Sequence, residues 1–319
     1  MIYSIRHMTR FDYSAPIHES VMEVRKRPKN EDNQRVQGFA LITNPSAHIF
    51  EYVDFLGNRV CYFDIPRAHS RLIITAESYV EVLPPPTVPA SLGDDGWAWL
   101  DREVETGDFW DMLMPSQFIQ TTAMVEQLKQ ELNVQRRDDP MVVLCQLNTA
   151  IYNAFDYVPN YTQVDSPIDH ALASRKGVCQ DFAHIMITLV RNLGIPCRYI
   201  SGYLYTGQED NDRSADDATH AWVEAWLPEL GWVGFDPTNN LIVGDRHIRV
   251  AIGRDYADAP PTHGIFRGEA ESELQVGVQV KIADDLPFDD ADMPMVEQST
   301  YAGDVVPQDQ QQQQQQQQQ

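Results

Sequence analysis

The stretch Gly177-Val178-Cys179-Gln180-Asp181-Phe182-Ala183-His184 decides the reading of this chain. Gly177 punctuates a turn. From Cys179 onward, Phe182, Ile185, Met186, Leu189, Val190 and Leu193 recur at helical spacing until Gly194-Ile195-Pro196 stops the pattern. Cys179 is therefore expected in the first turn of an apolar helix. A thiol there feels the positive end of the helix dipole and unpaired backbone N–H groups, and both favour the thiolate. Taken alone, Cys179 reads more simply as one more buried small residue, since free cysteines are commonly buried.

The residues that follow change that balance. Thr219-His220-Ala221-Trp222-Val223-Glu224-Ala225-Trp226 alternates like a strand and opens on a histidine. After a Pro/Gly turn comes Gly231-Trp232-Val233-Gly234-Phe235-Asp236, followed by Pro237-Thr238. Cys179, His220 and Asp236 thus appear in order, one at a helix start and two on adjacent expected strands. A nucleophile, a base and a group that orients the base are the parts that thiol acyl chemistry requires.

With these residues the stretch 155–239 resembles the transglutaminase-like superfamily, in its bacterial branch described as cysteine proteases. The residues that carry the resemblance are Gly177-Val178-Cys179-Gln180-Asp181-Phe182-Ala183, Gly194-Ile195-Pro196-Cys197-Arg198-Tyr199, Ser201-Gly202-Tyr203, Thr219-His220-Ala221-Trp222-Val223-Glu224 and Phe235-Asp236-Pro237-Thr238. The resemblance implies a papain-like cysteine-enzyme core that cleaves amides in a protein or peptide substrate. Hydrolysis is the favoured outcome, protein crosslinking onto an amine is the alternative, and a scaffold that binds without turnover is a third. Cys179 would be the nucleophile, His220 the base and Asp236 the orienting acid. Neither metal nor cofactor is called for. The Cys179 backbone N–H is one expected oxyanion donor. Tyr157 and Tyr161 are candidates for the second, with packing roles equally open. Animal transglutaminases use an upstream tryptophan there, and none lies between Trp110 and Cys179.

Residues 1–85 read as all-β. Alternating segments at 3–13, 20–27, 35–43, 49–55, 59–65 and 71–83 are bounded by turn residues, with Leu56-Gly57-Asn58 closing a hairpin. An antiparallel β-sandwich is expected, of the kind bacterial transglutaminase-like proteins carry at their N-termini. Pro84-Pro85-Pro86-Thr87-Val88-Pro89 marks its end. The catalytic unit is expected over 86–283, giving an α+β protein overall. Helices are expected at 97–105, 117–132 and 139–154, the last with Asp139 as N-cap and Pro140 at its first position. Ser166-Pro167-Ile168-Asp169 reads as the cap of a short helix aimed at Cys179. Strands are expected at 197–206, 219–227 and 232–236, with 246–252 and 273–282 as possible extensions of the same sheet. His184 reads as packed or surface, and Asp181 as a first-turn acid that complements the helix dipole. The acidic loop 207–218 fails the calcium-loop pattern, because Ala215 and Ala221 stand where glycine and glutamate are needed.

The 319 residues carry a net charge of −23. Residues 1–90 are neutral, whereas 269–319 set eleven acidic residues against Lys281 alone. That balance argues against nucleic acid or an anionic membrane surface as partner. The one basic run, Arg25-Lys26-Arg27-Pro28-Lys29, reads as a solvated strand end. Four scattered cysteines, no leader pattern and no long apolar run are read as a cytoplasmic protein. Residues 284–319, acidic and ending in ten glutamines, are expected to be a disordered tail.

Overall fold

From Ile5 to Tyr13 the odd-numbered residues are buried and the even-numbered ones are not, the two-residue period of a sheet with one face in a core. They lie in β1 (Ile2–Ile17), followed by β2 (Glu19–Val24), β3 (Gln34–Asn44), β4 (Phe50–Val53), β5 (Arg59–Ile65) and β6 (His69–Val82). The computed structural model describes residues 1–31, 33–207, 212–214 and 218–283, together with the backbone of 296–298. All six expected N-terminal strands are present, and the turn at Gly57 joins β4 to β5.

These strands do not complete the sandwich by themselves. Near the other end of the chain, β14 (Thr262–Arg267), β15 (Ser272–Ile282) and β16 (Val296–Gln298) return to it. The sheets run β16-β15-β1-β6-β3 and β14-β2-β5-β4. Three expectations are corrected here. Residues 273–282 do not extend the sheet expected from 197–206, 219–227 and 232–236; β15 pairs with β1 over its whole length, Tyr3 opposite Ile282 and Tyr13 opposite Ser272. A unit bounded at 86 and 283 therefore cuts across the sandwich. The pairing of β16 with β15 also falls inside the stretch expected to be disordered; the rest of 284–319 lies outside the described residues.

Between the ends of the sandwich the chain builds a second layer. Its helices are α1 (Gly96–Thr106), α2 (Ala123–Glu131), α3 (Pro140–Ala154), α4 (Ile168–Ser174) and α5 (Cys179–Arg191). A short parallel pair, β7 (Asp156–Tyr157) with β8 (Lys176–Gly177), flanks α4. The sheet behind the helices comprises β9 (Cys197–Leu204), β10 (His220–Leu227), β11 (Gly231–Asp236), β12 (Leu241–Ile242) and β13 (His247–Gly253), in the order β12-β11-β10-β9-β13. One face, with Ala221, Val223, Ala225 and Phe235, packs on α5 and the other helices. Beyond the part covered by the helices, Tyr203, Ile248 and Val250 enter the core of the sandwich. The fold is α+β, as expected.

Polar contacts fix how the sheet docks on the sandwich. Gln34 donates from Nε2 to the carbonyl of Arg249 and accepts from its N–H, both at 2.8 Å. Asn58 does the same for Ile252, at 2.8 and 2.7 Å. At the centre of the junction Glu224, fully buried, accepts from both Arg198 and Arg249. Charge-assisted pairs on both carboxylate oxygens offset the cost of burying that charge.

Three local expectations are also corrected. Helix α2 begins at Ala123 rather than near 117, because Asp255 takes the N–H of Phe118 at 2.8 Å and holds that stretch out of the helix. Ser166 does not cap α4; its hydroxyl accepts from Gln163 N–H instead. The basic run is not a solvated end. The pleat that buries Met22 and Val24 continues to Lys26, which is completely enclosed and donates to Thr9. Burial holds the Lys26 amine well below its usual pKa.

Candidate active site

Helix α5 starts where the sequence stops offering a capping side chain. Val178 is extended and has no acceptor of its own, so Asp181, three residues on, accepts the Val178 N–H at 2.8 Å. Thr162 donates its hydroxyl to the same Asp181 oxygen and ties the loop before α4 to the turn. Burial pushes the Asp181 carboxyl up, against the hydrogen bonds from Thr162 and Val178. Asp181 is thus a clamp on the turn before Cys179 as well as a first-turn acid. Gly177 is required by space: a Cβ there would lie 2.7 Å from Asp181 Oδ2.

The clamp places Cys179 at the first position of α5, half-buried, over the end of β10. Its Sγ lies 4.0 Å from the Thr219 carbonyl oxygen. Register brings up the other two residues. Val223 pairs with Phe235, and both face the helices, so Asp236 (one residue on) and His220 (three back) share the opposite face. His220 Nε2 donates to Asp236 Oδ2 at 2.7 Å, with both side chains buried. The other ring nitrogen, Nδ1, is buried without a normal hydrogen bond, and Cys179 lies near enough to raise the basicity of the ring. Burial alone would push His220 down, but the Asp236 carboxylate outweighs it and, with Cys179, carries the imidazole up to about 10.

Asp236 is the most heavily bonded carboxylate of the site. Oδ1 accepts from the backbone N–H of Thr238 at 3.0 Å and of Asn239 at 3.2 Å. Oδ2 accepts from the Asn239 amide at 2.8 Å and from His247 Nε2 at 3.2 Å, besides His220. Burial works to raise its pKa, yet the two histidines and these donors hold it far below the carboxylate range. Asn239 accepts in turn from the N–H groups of Arg213 and Ser214, and Asp212 pairs with Arg246 at 2.7 Å. Residues 212–214 of the acidic loop are therefore held against the site; the remaining acids considered for calcium, at 209, 210, 216 and 217, lie outside the described residues.

Trp222 is fully buried, 6.0 Å from His220 and 5.2 Å from His247 between ring centres. Trp226 instead packs with Trp232 and Phe109 and donates its indole N–H to Glu103. His184 belongs to the core: it stacks on Phe118, accepts from Tyr256 N–H, and is pushed down to about 4 by burial. Pairing of β7 with β8 sets Tyr157 opposite Gly177, beside the turn that leads to Cys179. Tyr161 lies against His170 and Lys176. Among the described residues, His220, Asp236 and His247 form the one group with ligand-type atoms close enough for a metal, within 4.8 Å of one another. Their geometry is that of hydrogen bonds, because both Nε2 atoms are aimed at one carboxylate oxygen; a metal would have to displace those protons.

Asn239 and His247 were not singled out from sequence. Asn239 directly follows the Phe235-Asp236-Pro237-Thr238 motif, and its position was the available signal. His247 gave none, since it arrives through the pairing of β13 with β9.

The transglutaminase-like superfamily matches residues 127–237, and the bacterial transglutaminase-like N-terminal region matches residues 3–81. A Mycobacterium leprae protein, itself uncharacterised, is 30% identical over 275 residues, covering 86% of this chain and 96% of its own. The chain belongs to the transglutaminase-like superfamily. The crystal structure of a proposed cysteine protease from Cytophaga hutchinsonii shares the fold of this superfamily member. Its TM-score is 0.67 at 22% identity, over 93% of this chain and 98% of that one. A Pseudomonas aeruginosa protein-glutamine gamma-glutamyltransferase is 34% identical over 126 residues, which are 36% of this chain and 18% of that protein.

Proposed function

We propose that this protein is a thiol-dependent acyl-transfer enzyme that hydrolyses amide bonds in a protein or peptide, with Cys179 as nucleophile, His220 as base and Asp236 as the group that orients it. The observation that carries the reading is the 2.7 Å bond from His220 Nε2 to buried Asp236, which leaves Nδ1 unpaired on the side of Cys179. In this scheme Nδ1 takes the thiol proton and forms a thiolate–imidazolium pair, with Asp236 stabilising the charged ring. The sulfur attacks the amide carbon, and the oxyanion faces the N–H of Cys179 at the helix start. The imidazolium returns its proton to the leaving amine and a thioester remains. Water, deprotonated by the ring, then releases the acid and frees the thiol.

An amine as second acceptor is the other reading, favoured by the similarity to the Pseudomonas protein-glutamine gamma-glutamyltransferase. Both begin with the same acyl-enzyme. The test is to incubate the protein with a glutamine-containing peptide mixture, with or without a lysine-like amine, and follow the mass of the Cys179 peptide and of the products. The reading expects a trapped adduct on Cys179 and free acid as the main product. Amine-coupled product in excess over acid would favour transfer, and no adduct on Cys179 would remove both readings.

A further inference from the structure

His247 is a buried titratable group that the proposed chemistry does not use, and its surroundings specify its protonation. The Gly244 N–H points at Nδ1 from 3.4 Å, so Nδ1 accepts and the proton sits on Nε2. That Nε2–H is directed at Asp236 Oδ2, 3.2 Å away, the same oxygen that receives His220. The two imidazoles, 6.1 Å apart between ring centres, thus share one carboxylate oxygen. Three groups of charge act on His247: Asp236 from β11, His220 from β10, and Arg246 from just before its own strand. Arg246 is paired with Asp212, and Trp222 closes the remaining side with an apolar wall. A positive charge on His247 would stand beside the His220 imidazolium with one carboxylate between them.

We propose that His247 is a positioning residue of this site and its acid-side control. Neutral, it holds the Asp236 carboxylate for His220; protonated, it draws that charge to itself and lets His220 lose its proton more readily. The step needs one proton from solvent, bound at Nδ1, and it breaks the contact with Gly244 N–H. Burial, which holds the His247 imidazole down, keeps the neutral form in place at neutral pH and assigns the switch to acid. The thiolate–imidazolium pair then weakens in acid for two reasons: protonation of the Cys179 sulfur itself, and withdrawal of Asp236 from His220. This inference rests on the reading of Cys179 and His220 given above.

Three proteins test it, the wild type, His247→Gln and His247→Leu, each melted thermally to verify folding. The rate at which iodoacetamide alkylates Cys179 is followed from about pH 4 to pH 9 by peptide mapping, with iodoacetamide as the probe of thiolate. Gln keeps an N–H in the place of Nε2 but cannot titrate; Leu keeps neither property. Leu is expected to slow alkylation at pH 7 roughly tenfold, the worth of one hydrogen bond to a charged group. Gln should restore most of that rate and remove one of two ionisations from the acid side of the wild-type profile. If Gln leaves the acid side unchanged, the inference fails, whether or not Leu folds. A wild-type Cys179 no more reactive than the other cysteines would instead overturn the functional reading and this inference with it. The two failures are therefore distinct.

Discussion

His220 is pulled in opposite directions by burial, which disfavours its charge, and by the Asp236 carboxylate, which favours it; the carboxylate prevails. The consequence for stability has a definite sign. The folded-state pKa, about 10, stands above the ordinary value of 6.5. The imidazolium–carboxylate contribution is therefore fully present below about pH 6.5 and is lost as pH rises through about 10. It should amount to a few kcal/mol, at about 1.4 kcal/mol for each tenfold change in proton affinity. Urea unfolding at intervals across that window should show the stability gap between wild type and His220→Gln closing as pH rises. A gap that stays constant would mean that the ring is uncharged in the folded protein. Cys179, His220 and Asp236 could be picked out from sequence because each is a reactive group at the end of an element whose period is legible. His247 could not, because its role comes from a third strand whose partner no periodicity specifies.

At the scale of elements, the strand pair that carries His220 depends on a close approach. A Cβ on Gly202 would lie 2.5 Å from the Trp222 ring and would also collide with the Ile248 carbonyl. Neither neighbour can give way easily, since Trp222 is fully buried and Ile248 O is backbone. Gly202→Ala should therefore cost about 1–3 kcal/mol by overpacking. It should also slow alkylation of Cys179, because Trp222 is pressed towards His220; unchanged unfolding in denaturant would contradict this packing account. The helices and strands around this point were largely legible. Helix α3 follows its cap and proline, and Asp139 accepts from Val142 N–H as the sequence led one to expect. The start of α2 was not legible, because the acid that unwinds 117–122 lies at position 255. The inward turn of Lys26 was hidden for a related reason. Charge argued for solvent, while the pleat and a donor site on Thr9 decided for the core.

At the scale of the molecule, the N-terminal sandwich is closed by strands that follow the α/β layer holding Cys179 and His220. Alternation announced β15 as a strand but could not say which sheet it joins, since a period of two assigns faces and not partners. A chain ended after Pro261 lacks β14 and β15, and so leaves β1 and β2 each with an unpaired edge and an open core. It should lose cooperative melting by circular dichroism. Were the shortened chain to melt like the full-length protein, the sandwich would be complete without those strands.

Of the four thiols, Cys179 alone stands at a helix start beside a histidine. Burial pushes Cys61 and Cys197 up to about 12 and raises Cys145 as well, so each of these sulfurs resists ionisation where it sits. Cys179 is instead half-exposed at a helix start, beside His220. The most direct measurement is the alkylation rate of all four cysteines by iodoacetamide in the native protein near pH 7, by quantitative peptide mapping, repeated in His220→Ala. Cys179 should react at least tenfold faster than the other three, and His220→Ala should remove most of this advantage while the fold persists. Equal rates at the four positions, or a Cys179 rate indifferent to His220→Ala, would mean that the fold does not activate this thiol.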